Sequence, residues 1–255
     1  MRQSSAYKFC KKNQQVLPAK RRQSGKFIGG TTLKNNSITE RLLDASRPIW
    51  EGYLSHPFVR GIADGSLAVE KFRFYLLQDY LYLFDYAKVF AQGVVKSQEP
   101  EVMRTFASYV ASILNGELEI HRGYMRRMGI TEERAETEKP TLSNLSYTAY
   151  MRAVAAEEGP AEIMAAVLSC ALSYEYIAKW IVRNYPDTEQ HGFYGEWVRG
   201  YASKSYAEEN QRLTALMEQL AAGYPEKRQA RLTDIFVACS RYEAMFWDMA
   251  WNGEM

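Results

Sequence analysis

From Val69 to Ser97 the chain runs without a proline and with one glycine, Gly93, while apolar and aromatic residues recur every three or four positions. That spacing predicts one long helix, about 40 Å at 1.5 Å per residue. A helix of this length needs partners of similar length to cover its apolar side, and the rest of the sequence offers them. Ser37-Ile-Thr-Glu40 has capping-box spacing and starts a helix from about Thr39 to Tyr53. His56-Pro57 breaks it and opens a short helix ending near Asp64-Gly65. Pro100 opens a helix to Met128, stopped by Gly129, and residues 130–143 read as charged and irregular. Further helices are expected at about 144–157, from Gly159-Pro160 to Asn184, and at 193–221 and 226–251, the last two separated by Gly223-Tyr224-Pro225. No period-two alternation bounded by hairpin turns occurs, so no sheet is expected. The reading is an all-α bundle of seven or eight helices in a single domain, residues 37–255.

The leader, residues 1–36, lacks an apolar period and is read as basic and disordered. The first 38 residues hold nine of the 32 basic residues and no acidic one, so the remainder is acidic by about seven charges. An acidic body argues against nucleic-acid binding, which needs a basic face. The longest charge-free run in the most apolar segment, Ile163–Tyr174, is short of the roughly 20 residues that cross a bilayer, so no membrane partner is expected. Three separated cysteines, Cys10, Cys170 and Cys239, form no CxxC pair or disulfide framework, which fits a reducing cytoplasm.

Three helices carry reactive groups among aromatics. Tyr75, Asp79, Tyr82 and Tyr86 fall on one face of the long helix. A carboxylate there is costly to bury unless a side chain or a ligand hydrogen-bonds to it. Cys170 and Tyr174 are one turn apart in the most apolar helix; the cysteine is either a small core residue or, given a cavity and a nearby base, a nucleophile. Glu243 lies beside Tyr242, Phe246 and Trp247, surroundings that raise a carboxyl pKa toward neutrality unless an arginine pairs with it.

Read in order, His56-Pro57-Phe58-Val59 with Gly61-Ile62, Leu77-Gln78-Asp79 with Tyr82-Leu83, Ser146-Tyr147-Thr148, Cys170 with Tyr174, Tyr194-x-x-Trp197 with Tyr201, and Tyr242-Glu243-x-x-Phe246-Trp247 resemble the TenA/thiaminase II family. The resemblance covers the chain from about residue 39 onward. It implies a haem-oxygenase-like helical fold, a homotetramer, no metal or organic cofactor, and hydrolysis of thiamin-derived aminopyrimidines, thiamin itself included, in thiamin salvage. By the same resemblance Cys170 is the nucleophile and Glu243 its acid/base partner. Asp79 holds the aminopyrimidine edge, and Tyr82, Tyr147, Tyr174 and Tyr201 wall the ring. The chain departs from the family pattern at Ser169, where a proline is common, at Ala171-Leu172, where aromatics are common, and at Tyr150, where some relatives have histidine. Those changes bear on substrate preference.

Two other functions were weighed against this one. A metal-dependent oxygenase of the same fold could draw on Glu117-x-x-x-His121, but the only other histidines are His56, which precedes a proline, and His191. A non-catalytic pyrimidine-binding or regulatory protein would need neither Cys170 nor Glu243. Cys239, one turn before Glu243, is the rival nucleophile.

Overall fold

The computed structural model describes residues 37–253; the expected leader lies outside them. Helix α1 (Ile38–Ser55) starts as its sequence dictates: the Ser37 side chain accepts from the Glu40 amide while the Glu40 carboxylate accepts from the Ser37 amide. Helix α2 (Pro57–Asp64) takes Pro57 at its first position, with the His56 ring accepting from the Phe58 amide at 3.2 Å. Gly65 ends it with φ 78°, a conformation open to glycine. Helix α3 (Val69–Lys96) follows at its expected bounds.

The segment read as one helix from Pro100 to Met128 has three parts. Helix α4 (Pro100–Ser112) passes into a π-turn (Ile113–Glu117) and resumes as α5 (Leu118–Arg127). A π-turn keeps the chain helical but adds a residue to the turn, so everything after it is rotated relative to a straight helix. The region read as irregular contains α6 (Glu132–Thr137), a helix too short to show a period. Helices α7 (Leu142–Glu157) and α8 (Pro160–Asn184) agree with expectation. The stretch read as 193–221 is broken: a 3₁₀ turn (Pro186–Gln190) precedes α9 (Gly195–Tyr201), and α10 (Lys204–Leu220) restarts where the Ser203 hydroxyl accepts from the Tyr206 amide. Helix α11 (Glu226–Asn252) completes the bundle. No strand occurs among the described residues.

Helices α8 and α11 form the centre. Helix α11 packs on α8, α1 and α7, while α3 packs on α4, α7 and α8. Gly93 lets α3 and α4 approach closely, since a Cβ there would stand 2.3 Å from the buried Phe106 ring. By length and composition α8 could cross a membrane, but 78% of its most apolar window is buried against other helices. It is the core helix of the bundle. A hydroxyl cluster ties the centre together: the Ser240 hydroxyl accepts from Trp50 Nε1 at 3.0 Å and lies 2.9 Å from Ser169 Oγ and 3.3 Å from Ser46 Oγ. Ser169, where the family pattern favours proline, therefore joins α8 to α11.

Candidate active site

The face expected on α3 exists: Tyr75, Asp79, Tyr82 and Tyr86 are all buried. Around it stand Tyr147 from α7, Cys170 and Tyr174 from α8, Tyr201 from α9 and Glu243 from α11. Ring contacts hold the wall together. Tyr82 and Tyr147 have centroids 5.2 Å apart, Tyr174 and Tyr201 4.8 Å, and Tyr174 and Trp247 5.4 Å. Every site residue expected from the sequence is thus brought to one place.

Cys170 is enclosed by protein, yet it keeps surface that a water molecule can touch although its helix neighbours Leu168 and Ser169 have none. Such a side chain borders a cavity that water can reach between the helices. Glu117, Tyr201 and Tyr206 share this property. Burial pushes the Cys170 thiol well above its ordinary pKa, the charge of Glu243 adds to this, and the Tyr82 hydroxyl pulls the other way. The resting sulfur is therefore a thiol. Glu243 is pushed up to about 8, first by burial and then by Asp79, against the pull of the Tyr147 and Tyr174 hydroxyls. No arginine pairs with it among the described residues. The Tyr147 and Tyr174 hydroxyls stand near enough to favour the carboxylate, yet Glu243 Oε2, the Tyr147 hydroxyl and Trp247 Nε1 are buried with no partner at full hydrogen-bond distance. Orphaned polar atoms at a cavity are atoms a ligand or water can satisfy.

Asp79 has a protein partner that the sequence reading missed. His121 Nε2 lies 2.7 Å from Asp79 Oδ2, and the Tyr75 hydroxyl donates to the same oxygen at 3.2 Å. The Tyr75 oxygen in turn accepts from Trp197 Nε1 at 3.3 Å and lies 3.1 Å from the Tyr174 hydroxyl. His121 Nδ1 is 3.0 Å from the Glu117 carbonyl, and a carbonyl only accepts, so Nδ1 carries a proton. A second proton then lies between Nε2 and Asp79. Burial alone would lower the His121 pKa; the hydrogen bond and charge of Asp79, with Glu117, reverse this and raise it. The spacing Glu117-x-x-x-His121 was weighed as an iron-ligand pair. Both ring nitrogens of His121 are committed, the Tyr201 hydroxyl donates to the Glu117 carboxyl at 3.4 Å, and no group of three His, Cys, Asp or Glu converges among the described residues. His121→Leu strands a buried carboxylate and is expected to cost about 3–5 kcal/mol, read as a fall in the urea midpoint; an unchanged midpoint would show that Asp79 does not depend on this ring.

A separate surface cleft of about 280 Å³ lies between Tyr80, Glu119, Arg122, Arg126 and Glu136. Its Arg122 is committed to Glu119 and to the Tyr80 hydroxyl, and it holds none of the groups gathered on α3, α8 and α11.

The chain is 42% identical over 219 residues to an aminopyrimidine aminohydrolase of Halalkalibacterium halodurans, covering 86% of this chain and 97% of that one. It is 42% identical over 215 residues to another from Helicobacter pylori, covering 84% and 99%. Among solved structures, a TenA homologue from P. horikoshii OT3 superposes with a TM-score of 0.80 at 31% identity, covering 86% of this chain and all of that one. Haem oxygenase 2 from Chlamydomonas reinhardtii superposes with a TM-score of 0.61 at 14% identity over 84% and 97% of the two chains, a likeness of fold alone. The bundle is thus haem-oxygenase-like. The family model described as TENA/THI-4/PQQC matches residues 43–253, and the chain belongs to that family.

Proposed function

We propose that the protein hydrolyses thiamin-derived aminopyrimidines, converting an aminomethyl arm and water into a hydroxymethyl arm and ammonia, with thiamin as a further substrate. The observation that carries this reading is that the packed helices α8 and α11 bring a thiol and an unpaired buried carboxyl to one wall of contacting aromatic rings, with Glu243 the charge that weighs most on Cys170. The relatives named as aminopyrimidine aminohydrolases support it.

The chemistry follows from the groups present. An amine leaves poorly from a methylene on an aromatic ring. Sulfur addition to the ring breaks the aromaticity, and ring electrons then expel the nitrogen with its bonding pair. Water adds to the exocyclic carbon so formed, and loss of the thiol restores the ring. Glu243, in its ionised form, takes the thiol proton as the C–S bond forms and passes it to the departing nitrogen; ionised again, it deprotonates the water and returns that proton to the sulfur as it leaves the ring. Asp79 faces the amino group and ring nitrogen of the pyrimidine, and the proton it shares with His121 is available to that nitrogen as the ring gains electrons. Tyr82, Tyr147, Tyr174 and Tyr201 enclose the flat heterocycle. No step needs a metal or an organic cofactor. We further propose that residues 37–255 work as a cytoplasmic homotetramer, in line with the family resemblance.

The test is ammonia release from aminomethylpyrimidine and cleavage of thiamin by the purified protein. Release supports the hydrolase. Tight binding with no release from either compound replaces it with a pyrimidine-binding protein.

A further inference from the structure

One carboxyl in the cavity has no part in the chemistry above. Glu117 is the last residue of the π-turn, and its side chain is enclosed by protein yet reachable by water. In an uninterrupted helix it would sit about 100° further round. Its one hydrogen-bonding side chain is Tyr201, at the long distance of 3.4 Å, and no lysine or arginine pairs with it among the described residues. The nearest cationic ring, His121, is committed to Asp79 and to the Glu117 backbone. Tyr201, the side chain that reaches Glu117, packs on Tyr174 with ring centroids 4.8 Å apart, and Tyr174 lies one turn from Cys170, so Glu117 stands at the same ring wall as the nucleophile. His121 offsets the charge of Glu117 only in part, since burial outweighs it, so a carboxylate here with open lone pairs is better met when a cation enters with donors of its own.

Resting on the pyrimidine reading of this cavity, we infer that Glu117 binds the departing amine: its carboxylate accepts hydrogen bonds from the primary ammonium arm of an aminomethylpyrimidine and so favours that arm over a hydroxymethyl or thiazolium arm. A hydroxymethyl arm carries no charge. A thiazolium carries charge but no N–H. Only the ammonium meets both demands of a carboxylate, charge and donated protons. Held in this form, the nitrogen needs no proton before it leaves: the C–N pair departs with it as ammonia, which then takes the thiol proton held on Glu243. Glu117 thereby holds the nitrogen, while Glu243 moves the protons of the sulfur, the ammonia and the water.

Burial pushes Glu117 up to about 7, His121 lowers it, Asp79 raises it, Tyr201 lowers it and Glu209 raises it. The groups facing it are therefore Asp79 and Tyr86 on α3, His121 on α5 and Cys170 on α8. Tyr201 on α9 and Tyr206 and Glu209 on α10 complete the set. Only ionised Glu117 prefers the ammonium, so the preference weakens as pH falls through about 7, while the ligand amine stays protonated.

The experiment is calorimetric titration of Cys170→Ser protein, whose turnover is too slow to matter during a titration, with aminomethylpyrimidine and with hydroxymethylpyrimidine. At pH 7.5 the amine is expected to bind at least about tenfold more tightly, one charge-assisted hydrogen bond being worth about 1.5–3 kcal/mol. Adding Glu117→Gln should erase that preference and leave hydroxymethylpyrimidine binding as it was. A preference that survives the substitution overturns the inference while the pyrimidine reading stands. Failure of Cys170→Ser to bind either pyrimidine overturns both. Should the double variant not fold, the pH series on Cys170→Ser decides: a ratio that shrinks from pH 7.5 to 5.5 supports Glu117, and a constant ratio sinks it. Using the ratio cancels any change at the ring edge common to both ligands, which Asp79 meets.

Discussion

Cys170→Ser releases ammonia from aminomethylpyrimidine about a thousandfold more slowly than the unaltered protein, or worse, while its urea midpoint is preserved. The magnitude follows from losing a nucleophile whose departure from the ring is as necessary as its attack; a serine oxygen is a weaker nucleophile and a poorer leaving group. Folding is preserved because serine replaces the sulfur almost without change of shape, at a position that touches water in the cavity. The rival is Cys239, whose side chain has no accessible surface and whose thiol burial pushes far above its ordinary pKa. Undiminished release from Cys170→Ser would transfer the nucleophile to that residue, and Cys239→Ser would then lose activity instead.

Glu243→Gln is expected to lower kcat by about 10²–10⁴ and to change how stability depends on pH. The folded protein holds the Glu243 proton up to about pH 8, whereas the unfolded chain releases it near 4.5. Between those values the folded state binds more protons than the unfolded state, so this group's contribution to stability falls as pH rises. Glutamine carries no titrating proton and removes that slope. The gain in urea midpoint of Glu243→Gln over the unaltered protein should therefore be larger at pH 8 than at pH 5. Equal differences at both values would mean that Glu243 is not the buried acid of the site, whatever the loss of activity.

The α3 face and the Cys170–Tyr174 pair were legible because each lay on a long helix whose phase could be read directly, whereas Tyr147, and Tyr201 on the seven-residue α9, were legible only through the family resemblance. The α3 face from Tyr75 to Tyr86 needed only the 3.6-residue repeat, and Cys170–Tyr174 needed one turn of α8. His121 was not legible as the partner of Asp79. Its direction depends on the π-turn, and a π-turn leaves helical spacing on both sides while shifting one against the other. No proline marks it, and Gly116 alone within it is too weak a signal. The break between α9 and α10 did leave a trace, since Ser203 with Tyr206 three residues on is N-cap spacing. It went unread because the apolar residues on either side continue a plausible period. Helix α6 spans six residues and offers no period at all.

The hydroxyl cluster of Ser46, Ser169 and Ser240 has a consequence for how such a protein can diverge. Ser169 adjoins Cys170 and Ser240 lies three residues before Glu243, so the bond between them fixes the offset of α8 against α11 from behind the cavity. Trp50 and Tyr53 fasten α1 to the same point, through the Ser240 hydroxyl and carbonyl. The alignment of thiol and carboxyl is thereby inherited separately from the wall that meets the ligand. Drift at positions such as Ala171, Leu172 or Tyr150 can alter the wall without disturbing the offset of Cys170 against Glu243, while drift at the three serines would change that offset and leave the wall intact.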